Sequence, residues 1–478
     1  MLFPIRRRLP HAVPFPNGMK DRVVAFEPAP APFESALADY RAARFTDCIR
    51  SLRGHLTLPE RILRARALLR LIRYEEAWES LKSLPPAGEV THQLRASALI
   101  VRAAVATLLG RFPRAEEDLA AARIHVYSTP SPALEAEFEY YCAMLRWVQG
   151  DFGAGETGAR RVLDIENGAP SHEGSTPALA ASRARAVMIL GYEVAREGRF
   201  RAYVDLLLHA LAELDCGEEP DPYLEAVLLR DIAFGARELD LPTVAAVVRE
   251  RAEILAWTPE LDEQHAHVLR SLAWCAALAG DHLGALRNLR LSAEIAPGAT
   301  WRLLALLERS YLARELDQQI LAEEELRLAQ DLSKTIEWER TKGEETFGLL
   351  HLALLTAERD PAAAQGWLAR YDSLHQNTSP LLLGRPDPRA RALELYARGS
   401  VAEAEGLASH AVALYTDAFE LWDRLGCSWR AALAASRLAR STGAASFVEY
   451  EERAAERRPE SWLALQYARS RPTFPLVP

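Results

Sequence analysis

Residues that form catalytic or metal sites are scarce in this chain of 478 residues. It has five cysteines, no two within four residues of each other, and it contains no C-x-x-C, H-E-x-x-H or G-x-S-x-G motif. These absences exclude zinc ribbons, C-x-x-C redox centres, zincin metalloproteases and hydrolases with a nucleophile elbow. An odd number of scattered cysteines predicts reduced, mostly buried thiols. We therefore expect no catalytic, cofactor-binding or metal-binding residues and no enzyme activity.

Long apolar runs and excess positive charge are also missing. The most apolar stretch, Ala96 to Leu109, is interrupted by Arg102 and is shorter than the roughly 18 to 20 residues that span a bilayer. The basic residues Arg6 to Arg8 are followed by prolines instead of the apolar segment of a secretory signal. A net charge of −9 and a pI near 5.8 argue against general nucleic-acid binding. The sequence predicts a cytoplasmic protein with neither a membrane nor a direct nucleic-acid partner.

The composition that remains is rich in helix-forming residues. Hydrophobic residues make up 49% of the chain and charged residues 26%, as in a folded globular protein. Ala, Leu, Arg and Glu dominate, whereas alternating runs of Val, Ile and Thr are scarce. An all-α fold is expected.

The segment from Arg185 to Ala212 shows the basic unit of this fold. It is predicted to form two amphipathic helices joined at Glu197-Gly198-Arg199. Gly191 falls in the middle of the first helix, where glycine costs roughly 0.5–1 kcal/mol relative to alanine, so we expect another backbone to approach closely there. The L-G-x-x-V sequence, the G-x-F turn and the spacing of apolar residues resemble a tetratricopeptide (TPR) repeat.

A similar turn recurs along the chain. It begins at Gly110, Gly150, Gly198, Leu239 and Gly280, at intervals of 40, 48, 41 and 41 residues. A small or apolar residue follows five residues later in each unit, at Ala115, Gly155, Tyr203, Val244 or Ala285. One helix pair cannot bury its apolar face alone, so neighbouring pairs must stack. The prediction is a right-handed superhelical solenoid of antiparallel helix pairs, TPR-like, with a period of about 40 residues.

Proline content and loop composition predict the boundaries within the chain. Residues 1–32 contain seven prolines and are expected to form an extended arm. TPR-like repeats are predicted over 33–374, and a long loop over 375–388 is the best candidate for a boundary or hinge. Further helical repeats and a capping helix are expected over 389–465, followed by an irregular tail over 466–478.

One glycine motif is typical of nucleotide-binding proteins. Gly153 to Gly158 matches G-x-G-x-x-G, which binds phosphate when a strand precedes the glycines and a helix follows them. Here a helix is predicted on the N-terminal side, and Gly155 occupies the small-residue position of a repeat. We interpret the motif as part of a loosely packed repeat helix.

The concave groove is the feature that could carry a function. In a TPR superhelix the first helix of each pair lines the concave wall. If the first helices of this chain present the same positions to the concave wall as those of a TPR superhelix, three groups of residues face inward. They are Tyr140, Met144 and Trp147; Arg185, Met188 and Tyr192; and His267, Arg270 and Trp274. Aromatic residues and arginine contribute strongly to binding, although each of these side chains could instead pack between neighbouring repeats.

The C-terminal unit carries a second resemblance. The sequence from Ala411 through Leu425-Gly426 and Trp429 to Leu433 resembles the unit near the end of the helical-repeat regions of MalT/LuxR-type bacterial transcription regulators. Gly426 would end one helix in a left-handed conformation, and Trp429 would anchor the next. The resemblance implies a region that senses an effector or a partner protein. With 32 residues before the repeats and Pro478 last, we expect neither the ATPase module nor the DNA-binding helix-turn-helix of those regulators.

Two functions remain open from the sequence. One is a non-enzymatic scaffold that binds a protein or peptide in its concave groove. The other is the sensing region of a LuxR/MalT-type regulator without its own helix-turn-helix, in which a small-molecule effector is a further candidate partner.

Overall fold

The computed structural model describes residues 32–86, 88–128, 131–165, 177–216, 221–252, 258–338, 346–377, 388–464 and 467. Within these ranges the chain is almost entirely α-helical and contains no β-strand. This confirms the predicted all-α fold. The predicted proline-rich arm and C-terminal tail lie outside the described residues, except for Pro32 and Tyr467.

The helices are numbered here in chain order. They are α1 (Pro32–Arg41), α2 (Phe45–Ser51), α3 (Leu58–Arg70), α4 (Tyr74–Leu81), α5 (His92–Leu108), α6 (Phe112–Tyr127), α7 (Pro132–Val148), α8 (Phe152–Asp164), α9 (Pro177–Arg196), α10 (Phe200–Asp215), α11 (Pro222–Glu238), α12 (Pro242–Ala252), α13 (Asp262–Leu278), α14 (His282–Ile295), α15 (Ala299–Glu315), α16 (Gln319–Ser333), α17 (Phe347–Thr356), α18 (Pro361–Asn377), α19 (Pro388–Ala404), α20 (Ala408–Arg424), α21 (Ser428–Thr442) and α22 (Ala445–Arg457). Each odd-numbered helix pairs with the next even-numbered one, and most pairs stack on their neighbours. The chain is therefore a solenoid of antiparallel helix pairs.

A left-handed residue produces the turn within most pairs. Gly110, Gly150, Gly198 and Gly280 have φ between +71° and +86°, and each lies two residues before the second helix of its pair. In the α11–α12 pair this position is Asp240, with φ +51°, and not Leu239 as the sequence alignment predicted. Aspartate tolerates this conformation better than leucine does. The residue five positions after this turn is accordingly Ala245, which is buried, instead of Val244, which is partly exposed.

Two of the mid-helix glycines, Gly191 and Gly158, mark sites where helices pack closely. A Cβ atom on Gly191 would lie 3.3 Å from Cδ2 of Tyr203, so a side chain approaches it and not the backbone that we predicted. A Cβ on Gly158 would lie 2.9 Å from Cβ of Ala143 in α7. The G-x-G-x-x-G motif thus lies within α8 and follows a helix instead of a strand, as expected for a packing motif.

The superhelix returns on itself after about five helix pairs. In the second half, Trp429 Nε1 donates a hydrogen bond of 2.9 Å to the carbonyl oxygen of Arg237, 192 residues away. In the first half, the Glu260 carboxylate accepts hydrogen bonds from the backbone amides of Phe45 and Thr46 at the start of α2. Segments about 200 residues apart in sequence are therefore in direct contact.

Packing continues across the predicted boundary at 375–388. Most of that loop lies outside the described residues, but α17 and α18 both contact α19. The division of the chain at this loop stays a prediction.

The cysteines are mostly buried, as predicted. Cys48, Cys275 and Cys427 are buried, Cys142 is partly buried and Cys216 is exposed. Burial raises the pKa of the four less exposed thiols to about 12, so these thiols are protonated at neutral pH. None of the helices searched is both long and apolar enough to cross a membrane.

Candidate binding sites on the inner wall

The first two predicted groups form one partly exposed surface. We call this surface the tyrosine wall: Tyr140, Met144 and Trp147 from α7, and Arg185 and Tyr192 from α9. The Arg185 guanidinium lies 6.0 Å from the Tyr140 ring centroid, and the ring centroids of Trp147 and Tyr192 are 5.9 Å apart. The structure therefore brings these five side chains together. Met188, which the sequence also placed here, is buried in the core behind them.

Hydrogen bonds hold the polar ends of the tyrosine wall in place. Tyr192 donates its hydroxyl proton to Asp231 at 2.6 Å, and Arg185 forms an ion pair with Asp221 at 3.2 Å. Trp147 Nε1 donates a hydrogen bond to Glu193. Burial, followed by the charge of Asp231, raises the pKa of Tyr192 well above its usual value. The three residues that bond to the wall, Asp231, Asp221 and Glu193, are all acidic. They fix the positions of Tyr192 and Trp147 and neutralise the charge of Arg185.

Sequence reasoning missed neighbouring residues on the same wall. Arg66 and Arg70 of α3, and Tyr223 and Arg230 of α11, occupy the same inner row of their helices. The Arg70 guanidinium lies 4.3 Å from the Tyr223 ring centroid, and Arg66 forms an ion pair of 2.6 Å with Glu137. The signal that could have found them is the spacing of four or seven residues along one helix face, which α3 and α11 share with α7 and α9.

The third predicted group lies in a more enclosed environment. His267 packs against Trp301, with ring centroids 3.8 Å apart, and burial lowers its pKa well below the usual value. Arg270 lies 3.4 Å from the Glu308 carboxylate, to which Trp274 Nε1 donates a hydrogen bond of 2.9 Å. The α11–α12 repeat lies between α9 and α13, so one whole repeat separates this group from the tyrosine wall.

The C-terminal repeats cover Trp274 of this third group. Trp274 is 4% exposed and stacks on Trp429 of α21 at 5.2 Å. Trp462 also contacts Trp274, edge to face at 6.0 Å. A peptide in the superhelix groove therefore reaches Trp274 only if these C-terminal residues move.

A polar cavity lies beside this aromatic cluster. We call it the arginine cavity, and its charged and titratable lining residues are Arg237, Glu238, Arg270, Glu308, His351, Arg389 and Arg430. Glu238 bonds to both neighbouring arginines, at 2.8 Å to Arg237 and 2.7 Å to Arg430. Burial alone would raise the pKa of Glu238, but Arg430 and Arg237 lower it overall. Burial and the same arginines lower the pKa of His351 to about 3, so this imidazole is neutral at pH 7.

The titratable groups of the described residues form neither a metal-binding cluster nor, among the more buried cysteines, an ionised thiol. Across the residues searched, no cluster of three or more His, Cys, Asp or Glu side chains is arranged to hold a metal ion. The four more buried thiols are protonated. Aromatic rings, guanidinium groups and carboxylates are the side-chain groups that the inner wall presents.

Comparisons with known proteins reveal no family for this chain. No protein-family profile and no curated protein matches the sequence. Solved structures that align with it include a Rap protein complexed with Competence and Sporulation Factor, at 14% identity and a TM-score of 0.44 over 75% of this chain and 99% of the other. The human IFIT1 dimer with PPP-AAAA aligns at 14% identity and a TM-score of 0.43 over 90% and 93%.

Sequence identities and TM-scores this low do not assign the fold, which is assigned here from the helix pairs of this chain. Their order, their antiparallel packing and their left-handed turns are those of a TPR-like helical-repeat protein.

Proposed function

We propose that this protein is a non-enzymatic scaffold that binds a peptide segment of a partner protein at the tyrosine wall. The observation that carries the proposal is the partial exposure of all five wall residues, whereas Arg270 and Trp274 of the corresponding row in α13 are buried. Large aromatic side chains held partly exposed beside an arginine are typical of binding hot spots. The proposal gives Arg270, Trp274 and His267 a secondary role, since C-terminal residues already contact this region.

The fixed geometry of the wall supports recognition of a peptide. Tyr192, Arg185 and Trp147 are tethered by Asp231, Asp221 and Glu193, so little side-chain entropy remains to be lost on binding. The rings supply apolar contact area, and the arginine and hydroxyl groups can bond to a peptide backbone. A peptide with apolar or aromatic anchor residues fits this surface best.

Selection from a displayed library of random twelve-residue peptides tests this function. We expect the wild-type chain to enrich a peptide family that quenches or shifts tryptophan fluorescence on titration. Binding should be lost in the Trp147→Ala/Tyr192→Ala variant, because hot-spot truncations cost about 2 kcal/mol or more each. Trp78→Ala is the matched control, since Trp78 is also partly buried but lies on the second helix of its pair. Equal binding by all three proteins would contradict the proposal.

The sensing region of a LuxR/MalT-type regulator is the second candidate. It is favoured by the C-terminal unit, in which Gly426 has φ +74° and Trp429 is buried at the start of α21, as the resemblance implied. Translation of the gene beyond Pro478 distinguishes the candidates. A helix-turn-helix sequence there would favour the regulator, and its absence would favour the scaffold.

A further inference from the structure

The arginine cavity contains buried polar atoms whose hydrogen bonds are not satisfied by the described residues. Arg237 is 4% exposed, and its Nη1 has no hydrogen-bond partner there. This atom lies 3.6 Å from the Glu308 carboxylate, which is beyond hydrogen-bond distance. Nδ1 of His351 is likewise buried without a partner. Leaving such groups unsatisfied costs about 1–3 kcal/mol each, and more for a charged group. A bound group with acceptor oxygens would remove this cost for Arg237 Nη1, and also for His351 in the tautomer that carries its proton on Nδ1.

The charges of the lining favour an anion over a cation. Three of the lining arginines, Arg237, Arg270 and Arg430, share two glutamates: Glu238 pairs with Arg237 and Arg430, and Glu308 pairs with Arg237 and Arg270. His351 adds no charge at neutral pH. Buried charges in proteins are normally paired, so the ligand that best complements this lining is negative.

The size of the cavity limits the ligand. Two neighbouring cavities have Glu308, His351, Leu393, Trp422 and Arg430 in common among their lining residues. In each, the volume open to the centre of a water molecule is about 30 Å³. A single water needs about 10–15 Å³ by this measure. The space accommodates a few waters or one small polyatomic ion, and it is too small for a nucleotide or a peptide.

We propose that the arginine cavity binds one tetrahedral oxyanion of the phosphate or sulfate class. Arg237 from α11, His351 from α17 and Arg430 from α21 supply donors from three helices that are distant in sequence. Donors on several sides match the several acceptor oxygens of such an ion, and guanidinium groups are the side chains best suited to bind it. The ion would link the returning C-terminal repeats to the middle of the solenoid. The site is separate from the tyrosine wall and does not depend on peptide binding.

Calorimetric titration of the full chain tests this site. The protein is dialysed into phosphate-free buffer and titrated with sodium phosphate or sodium sulfate, with sodium chloride at matched ionic strength as the reference. We expect saturable binding of one oxyanion and a rise in the melting temperature that chloride does not produce. Identical responses to phosphate, sulfate and chloride would mean that the cavity holds only water, and would overturn the proposal.

Two variants and a control link the binding to the cavity. Arg237→Gln removes a charged donor and should weaken oxyanion binding by about tenfold or more. His351→Leu preserves the charge of the cavity at neutral pH and should weaken oxyanion binding by about three- to tenfold. This variant tests the assignment if Arg237→Gln does not fold. Arg44→Gln removes an exposed arginine that is paired with Asp39, and should leave the affinity unchanged. Wild-type affinity in a folded His351→Leu or Arg237→Gln variant would contradict the assignment.

Discussion

The tyrosine wall and the arginine cavity are built from the same helix positions but differ in exposure. Trp147 and Trp274 both lie on the inner row of an odd-numbered helix, and each donates its indole proton to a glutamate of a nearby helix. Trp147 remains partly exposed, whereas Trp274 is covered by Trp429 and Trp462. The difference arises from the returning C-terminal repeats and not from the residue types. The same register can therefore produce a surface in one turn of the solenoid and a core in the next.

The largest expected effect comes from removing the residue that covers the second turn. Trp429→Ala should destabilise the protein by about 3–5 kcal/mol, because it deletes a buried indole and leaves a cavity. It also removes the hydrogen bond to the Arg237 carbonyl. Urea denaturation measures the loss. Trp147→Ala is the corresponding change in the tyrosine wall and should reduce the free energy of unfolding clearly less. Equal losses in the two variants would mean that the two regions do not differ in burial.

The ion pairs of the second turn provide the next test. Glu238→Gln should destabilise the protein by about 3 kcal/mol, because Arg237 and Arg430 lose a shared buried partner. Thermal melts at neutral pH measure the change. Glu197→Gln breaks the exposed Arg199–Glu197 pair and should have almost no effect.

Acid should remove the same stabilisation from the wild-type protein. Because folding lowers the pKa of Glu238, its contribution is complete above the pKa of an unfolded glutamate, about 4.3. It is lost as the pH falls through the lowered, folded-state pKa. The stability difference between wild type and Glu238→Gln should therefore shrink below about pH 4. A difference that stays constant down to the acid-unfolding limit would show that the charge of Glu238 is not the cause.

Helix packing behind the two regions should be alike. Gly191→Leu should destabilise the protein by about 1–3 kcal/mol through overpacking, because its Cβ would meet Tyr203. Gly399→Leu is the equivalent change in the second turn, where a Cβ would lie 2.8 Å from Cδ1 of Tyr415. Gly366→Leu, on an open helix face, should instead be neutral or stabilising by up to about 1 kcal/mol. If the melting temperature of Gly191→Leu equalled that of the wild type, α9 would not be closely packed at this position.

The smallest effect is expected for an ion pair of the tyrosine wall. Glu137→Gln should cost about 0.2–1 kcal/mol, because the Arg66–Glu137 pair is partly solvated. Salt should reduce this loss further, whereas it should change the Glu238→Gln result little. Chemical denaturation at low and high sodium chloride measures both. Equal salt dependence would indicate that the two ion pairs are similarly exposed.

Much of the fold was predictable because its signals are local. The spacing of apolar residues predicted helices, and Gly110, Gly150, Gly198 and Gly280 predicted the turns. Leu239 was misaligned because Asp240 replaces the glycine and gives no comparable signal. Gly191 was correctly recognised as a packing position, but a single sequence does not reveal that Tyr203 is its neighbour.

The candidate site was only partly predictable. The repeat register selected Tyr140, Arg185 and Tyr192 together, because residues of one helix row share a face. It did not distinguish them from Arg270 and Trp274, whose exposure depends on residues more than 150 positions later in the chain.

The sequence by itself determined the helices, their pairing and most of the inner row of α7, α9 and α13, since these depend on contacts within about 40 residues. The tertiary structure decided which parts of that row are exposed. Superhelical curvature brings Trp429 and Arg430 against Arg237 and Glu238, 192 residues away. That curvature is the sum of small rotations between neighbouring repeats, and no local sequence pattern encodes the sum.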